Sequence, residues 1–420
     1  MTILGLANRR DVERKTALSL LSAAAVRERA AEMLEAGLAG KLDNFRVDLD
    51  RLAPMTNIVA GVILTSYPKL KVPLHARWQH FVLSGRDLWK EIASKRRWPD
   101  APARARAEFD LATVSVLLDA GVGPDWRYQD TATGLTVGRS EGLALASLRM
   151  FEAGLFSADP HDPLRADATR LAELTADDLA RGFAVTDSNP MAGLAGRAAL
   201  LARLGKTMHD NPRVFGPGGS GRPGGLFDHF AATAGRTAIA APTILHDVLL
   251  FLGQIWPDRL MLGDLPLGDT WRHPAIKRKD ASNGLIPLHK LSQWLTYSLI
   301  EPLRRADITV SDIDGLTGLA EYRNGGLFVD GGVLVPRDLQ LAAQPHAIDS
   351  EFVVEWRAMT VALLDRLAPL VRDKLAVAKD AFPLGALLEG GTWAAGRQLA
   401  KQLRADGSPP FKVTSDGTVF

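Results

Sequence analysis

Helical periodicity is the feature that most constrains this chain. Residues 11–38, DVERKTALSLLSAAAVRERAAEMLEAGL, place apolar side chains three and four apart among Ala, Glu and Arg, and Gly37 marks an end. The same pattern predicts helices over 103–120, where GVGP stops it, and over about 141–154, 191–209, 286–304, 350–377 and 392–405. Pro190 and Pro287 suit the first turn of a helix, where the missing N–H costs nothing. Strand signals are few. Residues 126–138 read as a hairpin turning at Thr133-Gly134, and 325–336 as another turning at Asp330-Gly331-Gly332. The predicted fold is mainly α, one large helical body with a few short β-hairpins. No fixed-period repeat appears. Residues 1–110 form an N-terminal helical region, either a lobe of its own or part of the same body. Residues 111–420 form the main helical domain and end in a Gly- and Trp-containing segment.

Composition removes several classes of chemistry. The 420 residues contain no cysteine, which excludes disulfides, thiolate metal sites and a cysteine nucleophile. Lys and Arg number 50 against 48 Asp and Glu, with no basic tail, so binding nucleic acid through bulk charge is unsupported. The first residues, MTILGLANRRDVERK, lack the charged-then-apolar order of a signal peptide. The most apolar long stretch, 237–256, carries His246 and Asp247 and is interrupted by Pro242, so it predicts a buried helix pair rather than a membrane span. The expectation is a cytoplasmic protein that acts on a small molecule, with neither nucleic acid nor membrane as partner.

The residue patterns narrow the chemistry further. The stretch 215–225, FGPGGSGRPGG, is glycine-rich enough to cradle a phosphate, but it lacks the Gly-Lys-Ser/Thr of a P-loop and reads first as a flexible surface loop. His75 and His80 lie five apart, a poor spacing for joint ligation, and no HExxH or GxSxG occurs. From Pro287 onward, Lys290, Gln293, Trp294 and Tyr297 share one helical side. That side reads either as pocket lining or as a core face with a solvated lysine. Glu321-Tyr322-Arg323 and the pair Glu351 and Glu355, with Arg357, are further candidates that equally suit a surface. The segments LEGGTWAAGR (388–397) and SDGTVF (415–420) suit a binding rim or a helix cap and a terminal turn.

Two resemblances bear on these alternatives. The runs NFRVDLDRL, DWRYQD, RSEGLALASLRMF, LEGGTWAAGR and SDGTVF resemble, over essentially the whole chain, a bacterial and fungal family long labelled a domain of unknown function. Its fungal member is uracil catabolism protein four, in a pathway that breaks uracil down through ribosylurea to urea. More distantly, about residues 120–370 resemble the queuosine salvage proteins, helical N-glycosidases of DNA-glycosylase-like architecture. Their pattern runs Pro-x-Tyr-Lys-Arg-Ala-Gln, then Leu-Thr-x-Phe-Ala-Asp-Tyr-Arg-Val-Pro-Gln, then Glu-Val-Glu-Ile-Arg-Ala. Here the corresponding runs are Pro287 to Gln293, Leu316 to Arg323 and Glu351 to Ala358, in the same order across about seventy residues. The departures that bear on the chemistry are Glu321 for Asp, Asn-Gly-Gly for Val-Pro-Gln, His289 for an aromatic and Leu291 for Arg.

Taken together, the resemblances imply hydrolysis of a ribosyl N-glycosidic bond, with a smaller leaving group than queuine. They imply that Glu321 is the carboxylate at the sugar and that Lys290 holds sugar hydroxyls or a 5′-phosphate. His289, Gln293, Tyr322 and Arg323, and on the upstream segment Trp126, Arg139 and Glu141, would line the substrate. Glu355 and Arg357 would support them. Arg139, Arg272 and Lys277 are available to meet a phosphate. Such chemistry needs no metal and no redox cofactor. The pathway also implies possible company with other enzymes of uracil breakdown. Two different expectations stand beside it: a hydrolase that opens the pyrimidine ring, and a non-catalytic partner of such an enzyme.

Overall fold

The computed structural model describes residues 3–414 apart from 124, 236 and 258, with only the backbone given for 3–9. The run 415–420 lies outside the described residues. The fold is mainly helical, and every sheet among the described residues has two strands. The chain divides into two compact units. One comprises the described residues of 1–75, 258–293 and 312–414, and the other those of 76–257 and 294–311.

The first unit is built on helix Glu351–Leu375, whose residues 352–364 are buried on every side. A helix buried on every side is central to its unit, and this one packs against helices Ala23–Leu38 and Leu52–Ser66. The long N-terminal pattern is two helices, Ile3–Leu20 and Ala23–Leu38. The break falls where Ser22 turns extended and its hydroxyl accepts the Ala25 N–H, an N-cap that starts the second helix.

Two expectations fail in this unit. Residues 325–336 are not a hairpin: helix Tyr322–Asp330 takes the first part, and Leu334–Pro336 pairs antiparallel with Phe45–Val47. The glycines that suggested a turn serve close packing instead, since a Cβ at Gly325 would lie 2.6 Å from the Trp356 indole nitrogen. Pro287 does not start a helix. Leu285–Pro287 pairs antiparallel with Thr270–Arg272, and the helix begins at Lys290 after His289 turns left-handed at φ 48°.

The second unit contains helices Ala101–Leu117, Arg139–Glu152, Leu194–Asp210 and Ala241–Leu252, and all but the first turn of helix Lys290–Arg305. Pro302 lies inside that last helix. It has no N–H for the Ser298 carbonyl, which accepts the Trp78 indole N–H at 2.7 Å. The hairpin expected at 126–138 forms, as Tyr128–Asp130 against Leu135–Val137. Pro190 precedes rather than starts its helix, which begins at Leu194. The expected helix pair over 237–256 is one helix preceded by the short strand Ala238–Ala240. The glycine stretch is tethered rather than free, because buried Asp110 accepts from the Arg222 guanidinium and from the Gly224 N–H. No helix among the described residues is long and apolar enough to cross a membrane.

Candidate active site

The first unit holds all three motif runs, 287–293, 316–323 and 351–358. Glu321 is the N-cap of helix Tyr322–Asp330. Its Oε1 accepts the Asn324 N–H at 2.6 Å and its Oε2 the Arg323 N–H at 2.7 Å. Glutamate is an unusual cap because its arm is longer than that of Asp or Asn. Here the two free N–H groups of the helix start hold both oxygens, so the carboxylate is buried and fixed. Burial pushes its pKa above the usual Glu value, against the downward pull of the two N–H groups, Lys290 and His75. Lys290 and His75 are thus both near enough for their charge to bear on Glu321.

Lys290 is placed by a residue that the sequence patterns passed over. Asp269 accepts the Lys290 backbone N–H at 2.9 Å, and its own carbonyl accepts the N–H groups of Leu288 and His289. Its carboxylate meets both terminal nitrogens of Arg357, at 2.8 and 2.7 Å, and the Trp271 indole at 2.7 Å. Burial alone would raise this carboxyl. The Arg357 fork overrides it and holds Asp269 well below the usual Asp range. Arg357 also donates from Nε to the Ala320 carbonyl at 3.2 Å, one residue before Glu321. One guanidinium therefore sets the start of the Lys290 helix and the approach to Glu321 together.

Gln293 makes a second tie. Its Oε1 accepts the Thr317 N–H at 2.8 Å, and its amide N–H donates to the Thr317 hydroxyl. His289 is fully buried. Its Nε2 bonds the Leu20 carbonyl at 2.9 Å, its Nδ1 has no hydrogen-bond partner among the described residues, and burial lowers its pKa. Tyr322 is half-buried and lies under the Arg323 guanidinium, which donates to the Gly407 carbonyl at 2.8 Å. These contacts brace the Glu321 turn. Glu355 is buried rather than on the surface. Its Oε1 accepts from Asn44 at 2.9 Å and lies 3.2 Å from His273 Nε2. His273 Nδ1 accepts the Ala275 N–H, so the ring proton sits on Nε2 and points at Glu355.

The sequence patterns also missed a histidine–carboxylate pair. His75 Nδ1 lies 2.6 Å from Glu389 Oε2, and the ring stands 6.0 Å from that of Trp393. Glu389 projects from a single π-helical turn, Leu388–Thr392, inside the LEGGTWAAGR run. Such turns insert a residue and re-aim a side chain. Gly390 and Gly391 permit this one, because a Cβ there would come within 2.9 Å of Val72, Ile63 and Val59. The signal available in the sequence was a Glu beside paired glycines, with His75 some three hundred residues away.

The upstream candidates fall in the second unit. Trp126 is wholly buried, donates to the Phe183 carbonyl at 3.0 Å and packs on Gly142. Arg139 opens helix Arg139–Glu152 with a left-handed φ of 54°. Glu141 lies close enough to Arg77 to stabilise its charge. Arg77 itself is fully buried, bonds Ser115 and Asp119 and faces the Trp294 ring at 5.3 Å. Tyr297 is buried there as well. Arg272 and Lys277 are exposed, in the first unit. Among the described residues, no three His, Asp or Glu side chains converge as a metal site.

Residues 19–420 match the model of a family described as "Protein of unknown function (DUF1688)". The chain belongs to this family. Among curated relatives of this DUF1688 chain, Protein urg3 of Schizosaccharomyces pombe is 38% identical over 417 residues, covering 97% of this chain and 99% of the relative. Uracil catabolism protein 4 of Lachancea kluyveri is 36% identical over 415 residues, covering 91% and 93%.

Proposed function

We propose that this DUF1688 chain is an N-ribosyl hydrolase of uracil catabolism. It would split ribosylurea, or its 5′-phosphate, into urea and ribose or ribose 5-phosphate. The name of the Lachancea kluyveri relative supports the pathway. The observation that carries the reaction is Glu321: a buried carboxylate, anchored through both oxygens, with Lys290 and His75 close by.

Breaking a C1–N bond leaves positive charge at the anomeric carbon, and a fixed carboxylate in a dry site stabilises that charge strongly. The oxygen of a water forms the new bond to C1, and the same carboxylate takes the water's proton. Its pKa, raised by burial, makes Glu321 a stronger base than an exposed glutamate. The leaving nitrogen gains a proton and departs as urea. Lys290 holds a sugar hydroxyl or the 5′-phosphate as a point charge. Asp269, Arg357, Gln293 and Thr317 keep Lys290 and Glu321 at fixed separation, which is the condition for a short-lived cation to meet its base.

The test is urea release from synthetic ribosylurea and from ribosylurea 5′-phosphate by the purified chain. Release from either compound is expected, and the preferred one identifies what Lys290 binds. Release from neither, by correctly folded protein, overturns the reaction and favours ring opening or a non-catalytic role.

A further inference from the structure

Asn324 carries an acceptor for which the fold supplies no donor. The residue is fully buried, and its Oδ1 has no hydrogen-bond partner among the described residues. A buried amide oxygen left unsatisfied costs stability, so native structures keep few of them. We infer that Oδ1 accepts an N–H from the terminal amino group of the substrate's urea, which makes Asn324 a specificity-determining residue for a ureido leaving group. This rests on the N-ribosyl hydrolase reading above.

Three observations place this oxygen at Glu321. The Asn324 backbone N–H donates to Glu321 Oε1 at 2.6 Å. Its side-chain Nδ2 donates to the Leu319 carbonyl at 3.3 Å, and the same carbonyl accepts the Glu321 backbone N–H at 2.9 Å. Asn324 is thus tied into the Glu321 turn through both its backbone and its side chain. The orientation of the amide then follows from its chemistry. A carbonyl only accepts, so the NH2 end must face Leu319. Oδ1 is the other arm of the same planar group, about 2.3 Å from Nδ2. A side chain at the third position of a helix leans back towards the helix start, and the cap of this helix is Glu321 itself.

The leaving group decides what Oδ1 meets. An amide oxygen offers lone pairs and no proton, so its partner must be a donor. The glycosidic nitrogen of ribosylurea gains a proton as the C1–N bond breaks, and so needs a donor beside it. The terminal amino group takes no part in the bond change and brings two N–H groups that need acceptors. Its bond to Oδ1 is alike before and during bond breaking. Such a bond acts on substrate binding, and its loss appears in KM more than in kcat. Ribose hydroxyls also donate, and the experiment separates the two.

The experiment compares Asn324→Leu and Asn324→Ala with the native full-length chain on two substrates. Both variants keep the backbone N–H that holds Glu321, and the Leu319 carbonyl keeps the Glu321 N–H, so the turn retains its anchors. One substrate is ribosylurea, in whichever phosphorylation state the native chain accepts. The other is the matching N-ribosylacetamide, in which a methyl group of similar size replaces the terminal amino group. Each variant is expected to lose about tenfold in kcat/KM on ribosylurea, mainly as a higher KM. The preference for ribosylurea over the acetamide should shrink by the same factor. The intrinsic reactivity of the two leaving groups is common to all three proteins and cancels in that comparison. Turnover of the acetamide by a variant also shows that it is folded. Equal losses on both substrates, as a contact to ribose or a purely structural amide would give, overturn the inference and leave the hydrolase reading intact. So does full activity of the variants on ribosylurea, which would mean that water satisfies Oδ1. Failure of the native chain on both substrates would remove the hydrolase reading, and the inference with it.

Discussion

Glu321 and Asp269 are both buried carboxylates of the first unit, and their surroundings push them in opposite directions. Asp269 faces a guanidinium fork and sits well below the usual Asp range. Glu321 faces two backbone N–H groups, with its cationic neighbours less intimate, and sits above the usual Glu value. The first is a permanent charge that ties three segments together. The second has a proton affinity suited to exchange with water. Pairs of acids driven apart in this way mark the division between structural and chemical roles in many active sites. Glu355, a third buried carboxylate, meets His273 and Asn44 on one oxygen and has no hydrogen-bond partner on the other among the described residues.

The comparison breaks most severely at Arg357. Arg357→Met leaves Asp269 buried and unpaired, and should cost about 3–5 kcal/mol of stability, measured by urea denaturation. A loss under about 1 kcal/mol would show that Asp269 does not depend on its fork. Glu321→Gln should behave in the opposite way. Its cap loss should stay near about 1 kcal/mol, while kcat/KM falls about a hundredfold or more. Gly396→Ala is a gentler probe of the Glu321 side, because a Cβ there would lie 2.2 Å from the Arg323 carbonyl oxygen. It should destabilise by about 1–3 kcal/mol and disturb the turn that carries Glu321, while leaving Asp269 untouched.

Acid should separate the two carboxylates without mutation. Catalysis needs ionised Glu321, so activity falls as pH drops through a pKa above the usual value of about 4.3. Protonating Glu321 relieves its burial cost, so this loss of rate carries no loss of fold. Asp269 has the opposite sign. Its depressed pKa contributes stability above the unfolded value of about 3.9, and that stability is lost as pH falls towards its folded value. On acidification, activity should therefore decline before the native circular dichroism signal does. Coincident loss of both would contradict the division of roles.

How far these features could be read from the sequence follows from the range of the interactions. Helices such as Glu351–Leu375 and Lys290–Arg305 show in apolar spacing because the spacing is local. Helix Tyr322–Asp330 did not, because Asn-Gly-Gly favours turns. It forms where Glu321 caps it and where Gly325 and Gly396 let Trp356 and the neighbouring helix approach closely. The runs around Lys290, Glu321 and Arg357 could be picked out by resemblance. Asp269 could not, since a single Asp in LGDTW gains its meaning only from Arg357, 88 positions later. The His75–Glu389 pair is separated by 314 positions and depends on a π turn that no local pattern announces. Trp126, a weaker candidate carried only by the matching upstream segment, has its indole engaged with Phe183 and Gly142.

The most direct single measurement is the rate of urea release from the preferred ribosylurea at neutral pH, native chain against Glu321→Gln, with melting temperatures taken alongside. A loss of about a hundredfold or more in a variant that melts within a few degrees of the native chain is the expected result. Full activity in a folded Glu321→Gln would contradict the role given to this carboxylate and require another base for the reaction.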